Sequence, residues 1–216
     1  MSKPPQVINL YHITHVRNLQ GIAETGVIYA DAEARRLGLD YSNVGISDIK
    51  RRRLESQEVV CHPGSMVGEY VPFNFCFRSV MLYIIHKGNH PQLSYRDGQR
   101  PILHLVLDFA KTIRYCTANG MRWAFSDMNA ANAMARFFNN PANLDSIDWK
   151  AVANRDFRQS TAKDAKQAEF LVHTTVPWEL VERIGVIDET VRHQVVTILG
   201  SSPHRPPVDV VRDWYY

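Results

Sequence analysis

Short apolar runs alternate with helix-length segments along this chain, never at the spacing of a repeating strand–helix–strand unit. Residues 7–11, 70–77 and 102–107 are strand-like in their β-branched and aromatic content. Residues 79–86 (before Gly88), 110–119 (before Gly120), the alanine-rich 129–139 and 188–199 (before Gly200) are helix-like. No G-x-G-x-x-G follows the first strand, which excludes a Rossmann-type dinucleotide site. The pattern is α+β. With 216 residues, 45% of them hydrophobic, the chain can bury one real core, and we expect a single domain over 1–216 with long functional loops.

Charged residues make up 22%, and the net charge is only +3 at a sequence pI near 8.8, so any affinity for nucleic acid must come from local patches. Cys61, Cys76 and Cys116 are odd in number and form no C-x-x-C pair, which argues against a disulfide framework and a zinc site. The N-terminus has no apolar leader core, and no apolar stretch is long enough to span a bilayer. A cytoplasmic protein without membrane contact is expected.

Three constellations carry chemistry. Glu169 opens the apolar run Glu169-Phe170-Leu171-Val172-His173, where an ionisable group stands at the mouth of a buried strand; a catalytic acid and a simple strand cap both suit that place. Near the other end, Tyr11-His12-Ile13-Thr14-His15 leads from a strand into a helix with apolar positions Val16, Leu19, Ile22 and Ala23, closed by Gly26. His12 and Thr14 alternate on one strand face and can meet an anionic or amide-bearing ligand. Lys50-Arg51-Arg52-Arg53 is a run of four cations, read either as a solvated helix face or as a phosphate contact. Between residues 127 and 167, aromatics interleave with arginines (Trp149, Arg155, Phe157, Arg158), as stacking on single-stranded nucleic acid requires; a core plug is the competing fate of each aromatic.

These segments, with Tyr70-Val71-Pro72-Phe73-Asn74-Phe75, Arg78 to Tyr83, Arg122-Trp123-Ala124-Phe125-Ser126-Asp127, Asn129-Ala130, Arg136-Phe137-Phe138, Lys166-Gln167-Ala168-Glu169 and Asp213-Trp214-Tyr215-Tyr216, resemble the DarT family of DNA ADP-ribosyltransferase toxins over nearly the whole length. Asn74 departs from an aromatic common in that family, and Phe77 and Val80 from prolines; these changes touch local backbone, not the His12 or Glu169 motifs.

The resemblance implies an α+β ADP-ribosyltransferase-like fold, a split central β-sheet with flanking helices and a long loop before the catalytic glutamate. It implies NAD as co-substrate, no metal, and ADP-ribose transfer to a base of single-stranded DNA. Thymidine is the first choice of acceptor and guanosine the second. A macrodomain antitoxin, DarG-like, is the implied partner. Glu169 is then the catalytic carboxylate, and a catalytic arginine lies in the basic run. Motif spacing favours Arg52, with Arg51 and Arg53 as substitutes. His12, Thr14 and the backbone at Ile13 hold NAD, with Gly21, Tyr29 and Arg51 as further contacts. Arg53, Trp149 and Arg155 are the expected DNA contacts. Pentosyl transfer, filed under nucleotidyl as well as glycosyl transfer, is the expected reaction class. The rival readings are an RNA-directed enzyme of the same fold and a non-enzymatic nucleic-acid-binding module. A nuclease is weakly supported, because His104 with Asp108 reads as a strand residue and a helix cap.

Overall fold

The computed structural model describes residues 3–155 and 160–216, and all of their side chains except those of 160–162 and 201. In chain order its strands and α-helices are β1 (Asn9–His15), α1 (Asn18–Thr25), β2 (Val27–Tyr29), α2 (Asp31–Arg36), α3 (Ser47–Glu55), β3 (Tyr70–Asn74), α4 (Val80–Lys87), β4 (Ile102–Asp108), α5 (Phe109–Ala118), β5 (Trp123–Ser126), β6 (Phe137–Phe138), α6 (Trp149–Ala153), α7 (Ser160–Ala165), β7 (Glu169–His173), β8 (Thr175–Pro177), β9 (Arg183–Val186), α8 (Glu189–Ile198) and β10 (Val208–Val210). Eight strands form one mixed sheet in the order β10-β9-β4-β1-β3-β7-β5-β6, while β2 and β8 pair separately. Only β9 and β10 run parallel.

The sequence of β4, Ile-Leu-His-Leu-Val-Leu-Asp, lacks the apolar–polar alternation of a half-exposed strand, and both of its faces are covered. Leu103, Leu105 and Leu107 pack with Leu10, Phe73 and Phe170. Ile102 and Val106 pack with Tyr11, Leu82 and Trp214. Each fully buried leucine contributes on the order of 2 kcal/mol. β4 therefore anchors β1 firmly. The two strands share seven partner positions, from Asn9↔Asp108 to His15↔Ile102. On its other edge β1 meets β3 at one pair only, Tyr11↔Asn74. The sheet is split there. Pro72, in β3, has no N–H to offer a ladder, and its carbonyl accepts a hydrogen bond from His12 Nδ1 at 2.9 Å.

Helix starts follow local chemistry. Asp108 accepts from Lys111 N to cap α5, Ser79 from Leu82 N to cap α4, and Asp188 from Val191 N to cap α8. Gly26 and Gly88 close α1 and α4 with positive φ. The expected helix over 129–139 is absent. Residues 127–136 form turns that run into β6. Asn129 Oδ1 accepts from Ala131 N at 2.8 Å, and Asn132 Oδ1 accepts from Met134 N at 2.9 Å. Such Asx bonds compete with helical ones and override alanine's propensity.

His104 lies in β4 at zero exposure, and its Nε2–H donates to the Phe77 carbonyl at 2.8 Å. Burial pushes its pKa from 6.5 down to about 4, against that hydrogen bond. Below pH 6.5 the unfolded chain takes up a proton there that the folded chain refuses, so stability is lost as pH falls toward 4. His12, His15 and His173 are shifted the same way, each chiefly by burial. Denaturant unfolding between pH 7 and 4 should therefore show steadily falling stability, with about 3 kcal/mol of the slope removed in His104→Asn.

Candidate active site

The four cations of residues 50–53 lie in α3, and helical geometry sorts them. Residues three apart share a face, so Lys50 and Arg53 turn inward while Arg51 and Arg52 turn out. Arg53 is 11% exposed as a side chain. Arg51 is solvent-exposed and pairs with Asp48, and Arg52 is also exposed. Of the three arginines in the run, the one that meets Glu169 is Arg53, and the favoured Arg52 does not reach it. The same geometry moves Arg53 from the DNA-facing surface into the interior.

Glu169 begins β7, and its neighbour Phe170 points to the opposite sheet face. Phe170 is locked among Phe73, Phe109 and Trp123, with ring centroids 5.3–6.4 Å apart. The glutamate is thereby held at a fixed place on the other side. Its Oε1 accepts from Arg53 Nη1 at 3.0 Å and from Ala130 N at 3.0 Å, and its Oε2 accepts from the same Nη1 at 2.9 Å. One guanidinium nitrogen thus serves both carboxylate oxygens. Arg53 Nη2 is buried and has no hydrogen-bond partner among the described residues. The Glu169 N–H donates to Ser126 Oγ at 3.2 Å, and that hydroxyl donates to the Met128 carbonyl at 2.6 Å.

Glu169 and Arg53 line a cavity of about 380 Å³ that His12, Ile13 and Thr14 also line. Because the Pro72 carbonyl can only accept, His12 carries its proton on Nδ1 and presents Nε2 as an acceptor. Burial lowers its pKa, opposed by that hydrogen bond, so the ring is neutral near pH 7. Thr14 Oγ1 accepts from Asn18 Nδ2 at 3.0 Å. Asn18 also donates to the Ser42 carbonyl at 3.0 Å and accepts from Ser42 N at 2.7 Å, pinning the loop after α2 over the cavity. On that side Lys50 Nζ donates to Asp31 Oδ1 at 2.8 Å. Burial alone would raise the Asp31 pKa, but Lys50 foremost, then Arg53, hold it below the usual carboxylate value.

Gly21 and Tyr29 line the same cavity, and a Cβ at Gly21 would meet open space, so nothing there demands glycine. Arg51 does not line it. Trp149 is a core residue, 7% exposed, its ring edge-on to Phe75 at 5.3 Å and its Nε1 donating to the Leu144 carbonyl at 2.8 Å. Its place is the core plug that the sequence also allowed. Arg155 is exposed, 4.0 Å from Asp213, and lines a different cavity with Lys3 and Arg78. Phe157 and Arg158 lie outside the described residues. Sequence reasoning missed Asp31, Asn18 as a loop anchor, and Asn129 and Gln167, which also line the cavity. Asn18, Asn129 and Gln167 stand inside the motifs that carried the resemblance, but their roles depend on side-chain partners far away in sequence. Asn74, which stands where an aromatic is common in the family, pairs with Glu169 across β3 and β7 and lines the cavity. Among the described residues no group of three His, Cys, Asp or Glu can hold a metal ion.

A cavity at the split of a mixed sheet, with a buried carboxylate at a strand mouth on one wall and a neutral histidine on the other, is the architecture of the ADP-ribosyltransferase class. Residues 11–216 match the family described as DarT, ssDNA thymidine ADP-ribosyltransferase, and the chain belongs to that family. It is 41% identical over 210 residues to a DNA ADP-ribosyl transferase of Thermus aquaticus, covering 96% of this chain and 88% of that one. It is 36% identical over 217 residues to a DNA ADP-ribosyl transferase of Thermus sp. strain 2.9, covering 98% of each. The solved structure of Thermus sp. 2.9 DarT in complex with ADP-ribosylated ssDNA superposes with a TM-score of 0.89 at 33% identity, over 100% of this chain and 99% of that one. The same protein in complex with NAD+ gives 0.83 at 33% identity, over 99% and 100%.

The two exposures of neighbouring arginines make a direct comparison. Arg52→Lys should keep transfer within about twofold of the parent. Arg53→Lys should lose most of it at every salt concentration, because lysine is a point charge that cannot hold both carboxylate oxygens and leave a second nitrogen free. Oligonucleotide modification measured across a salt series checks both.

Proposed function

We propose that this protein transfers ADP-ribose from NAD to a thymidine base in single-stranded DNA, releasing nicotinamide, as the toxin of a toxin–antitoxin pair. The observation that carries the reading is the buried Arg53–Glu169 pair facing the cavity that His12 and Thr14 line. Family membership and the relatives solved with NAD+ and with ADP-ribosylated ssDNA support it.

NAD supplies a ribose carbon from which neutral nicotinamide can leave, developing positive charge on the sugar. Glu169 is placed to stabilise that charge, and its fixed donors keep the carboxylate from turning away. Oε2, with one donor against two on Oε1, is the oxygen with room to accept a ribose hydroxyl. His12 Nε2 offers a second acceptor for the sugar, and the backbone at Ile13 runs along the cavity wall for the amide. Arg53 Nη2, buried and unpartnered, is the donor left for the acceptor base, whose ring nitrogen attacks best as an anion. The bond broken joins ribose to a ring nitrogen and involves no phosphate, so the reaction is glycosyl transfer; nucleotidyl transfer does not describe it.

A macrodomain antitoxin as partner and a cytoplasmic setting belong to the same reading. No helix among the described residues is long and apolar enough to cross a membrane.

Mass spectrometry of short oligonucleotides incubated with protein and NAD tests the proposal. Each modified strand should gain one ADP-ribose on thymine, with an equal amount of nicotinamide released. Strands lacking thymine should stay unmodified; modification on guanine instead would overturn the choice of base, and no adduct on any strand would overturn the function. Glu169→Gln, which retains an oxygen acceptor for Arg53 without the charge, should lower transfer at least about 100-fold with little change in the KM for NAD. EDTA should leave the rate unchanged, since the charges are handled by protein groups.

A further inference from the structure

Asn129 lies in the turn-rich segment between β5 and β6, and both ends of its side-chain amide are bonded. Its Nδ2 donates to Gln167 Oε1 at 2.9 Å, and its Oδ1 accepts from Ala131 N at 2.8 Å. The next residue, Ala130, donates its N–H to Glu169 Oε1. Gln167 stands two positions before Glu169, and its Nε2 donates to the Lys163 carbonyl at 3.1 Å. These bonds close a ring: Asn129 to Ala130 through the chain, Ala130 to Glu169 by a hydrogen bond, Glu169 to Gln167 through the chain, and Gln167 back to Asn129. Every link must hold for the Ala130 N–H to point at the carboxylate.

We propose that Asn129 is a positioning residue for Glu169, acting through the Ala130 N–H and through Gln167. This rests on the reading of Glu169 as the group that stabilises the sugar. Arg53 reaches both carboxylate oxygens through a single nitrogen, so it does not by itself fix the rotation of the carboxylate. The Ala130 N–H, bonded to Oε1 alone, breaks that symmetry and leaves Oε2 as the oxygen facing substrate. An alanine-rich segment held as turns instead of a helix has its explanation here. A continuous helix would consume the Ala130 N–H or aim it along the helix axis. Asn129 forces the chain out of that course by its local Asx bond, and its amide anchors the turn to the strand that carries the carboxylate.

Asn129 lines the cavity beside Glu169, but its amide is bonded to Gln167 and its carbonyl to Ala131, so its loss should appear in turnover before it appears in NAD binding. Asn129→Ala should lower kcat about tenfold, as expected for a carboxylate released from its productive angle, while KM for NAD stays within about twofold. Gln167→Ala should lower kcat comparably. The double variant should fall no further than the weaker single variant, because both substitutions open the same ring. Asn129→Asp, which keeps the acceptor for Ala131 but not the amide donor to Gln167, should stay near the Asn129→Ala level. All four measurements use single-stranded oligonucleotides and NAD, with thermal melting to confirm folding. A kcat for folded Asn129→Ala near the parental value, a rise in KM with kcat unchanged, or multiplicative losses in the double variant would each overturn the inference. Those outcomes require an active parent. A parent that modifies no oligonucleotide overturns the functional reading, and this inference with it.

Discussion

One buried ion pair, Arg53 with Glu169, joins the segments that wall the cavity. A carboxylate and a guanidinium removed from water require each other, and removing one partner of such a pair is strongly unfavourable. The requirement ties α3 to the start of β7 across 116 residues of sequence. It also ties in the segment between β5 and β6, which supplies the Ala130 N–H. The remaining guanidinium nitrogen then has no partner among the described residues. Only two buried side-chain donors among the described residues lack a partner, this one and Arg78 Nε, and the one beside Glu169 faces the cavity, where a ligand can meet it.

The split of the sheet provides the space. β1 is held on one edge by seven partner positions to β4 and released on the other after one pair with β3. The cavity opens where those strands part, with the His12 bond to Pro72 spanning the gap. His12 is thereby fixed in one tautomer. The opposite wall is a helix and a loop pinned by Asn18 and by the Lys50–Asp31 pair. Rigidity on the sheet side and side-chain anchors on the loop side give the cavity one firm wall and one built from adaptable parts.

Much of this was legible in the sequence, for physical reasons that differ between segments. Burial of β4 follows from its unbroken apolar run, and the ends of α1 and α4 follow from Gly26 and Gly88. Glu169 stood out because a charge at the mouth of such a strand demands a partner. Which arginine meets Glu169 is not legible along the sequence, because the helix sorts residues by angle: Lys50 and Arg53 share a face and Arg52 does not. Trp149 was open between two roles, and neighbouring side chains, invisible in a linear reading, decided for the core. The helix expected over 129–139 failed where two asparagines outcompeted alanine's propensity through local bonds. The ring through Asn129, Ala130, Glu169 and Gln167 could not be read at all, since it is closed by hydrogen bonds between segments about 40 residues apart.

The central claim is that Arg53 serves two groups at once, the carboxylate through one nitrogen and the acceptor base through the other. Nicotinamide release by Arg53→Ala, timed in single turnovers with and without an oligonucleotide, tests it most directly. The account predicts that DNA-free NAD hydrolysis falls because Glu169 loses its anchor, and that DNA-dependent transfer falls further because the acceptor loses its donor. Hydrolysis at the parental rate, or two losses of equal size, would contradict it.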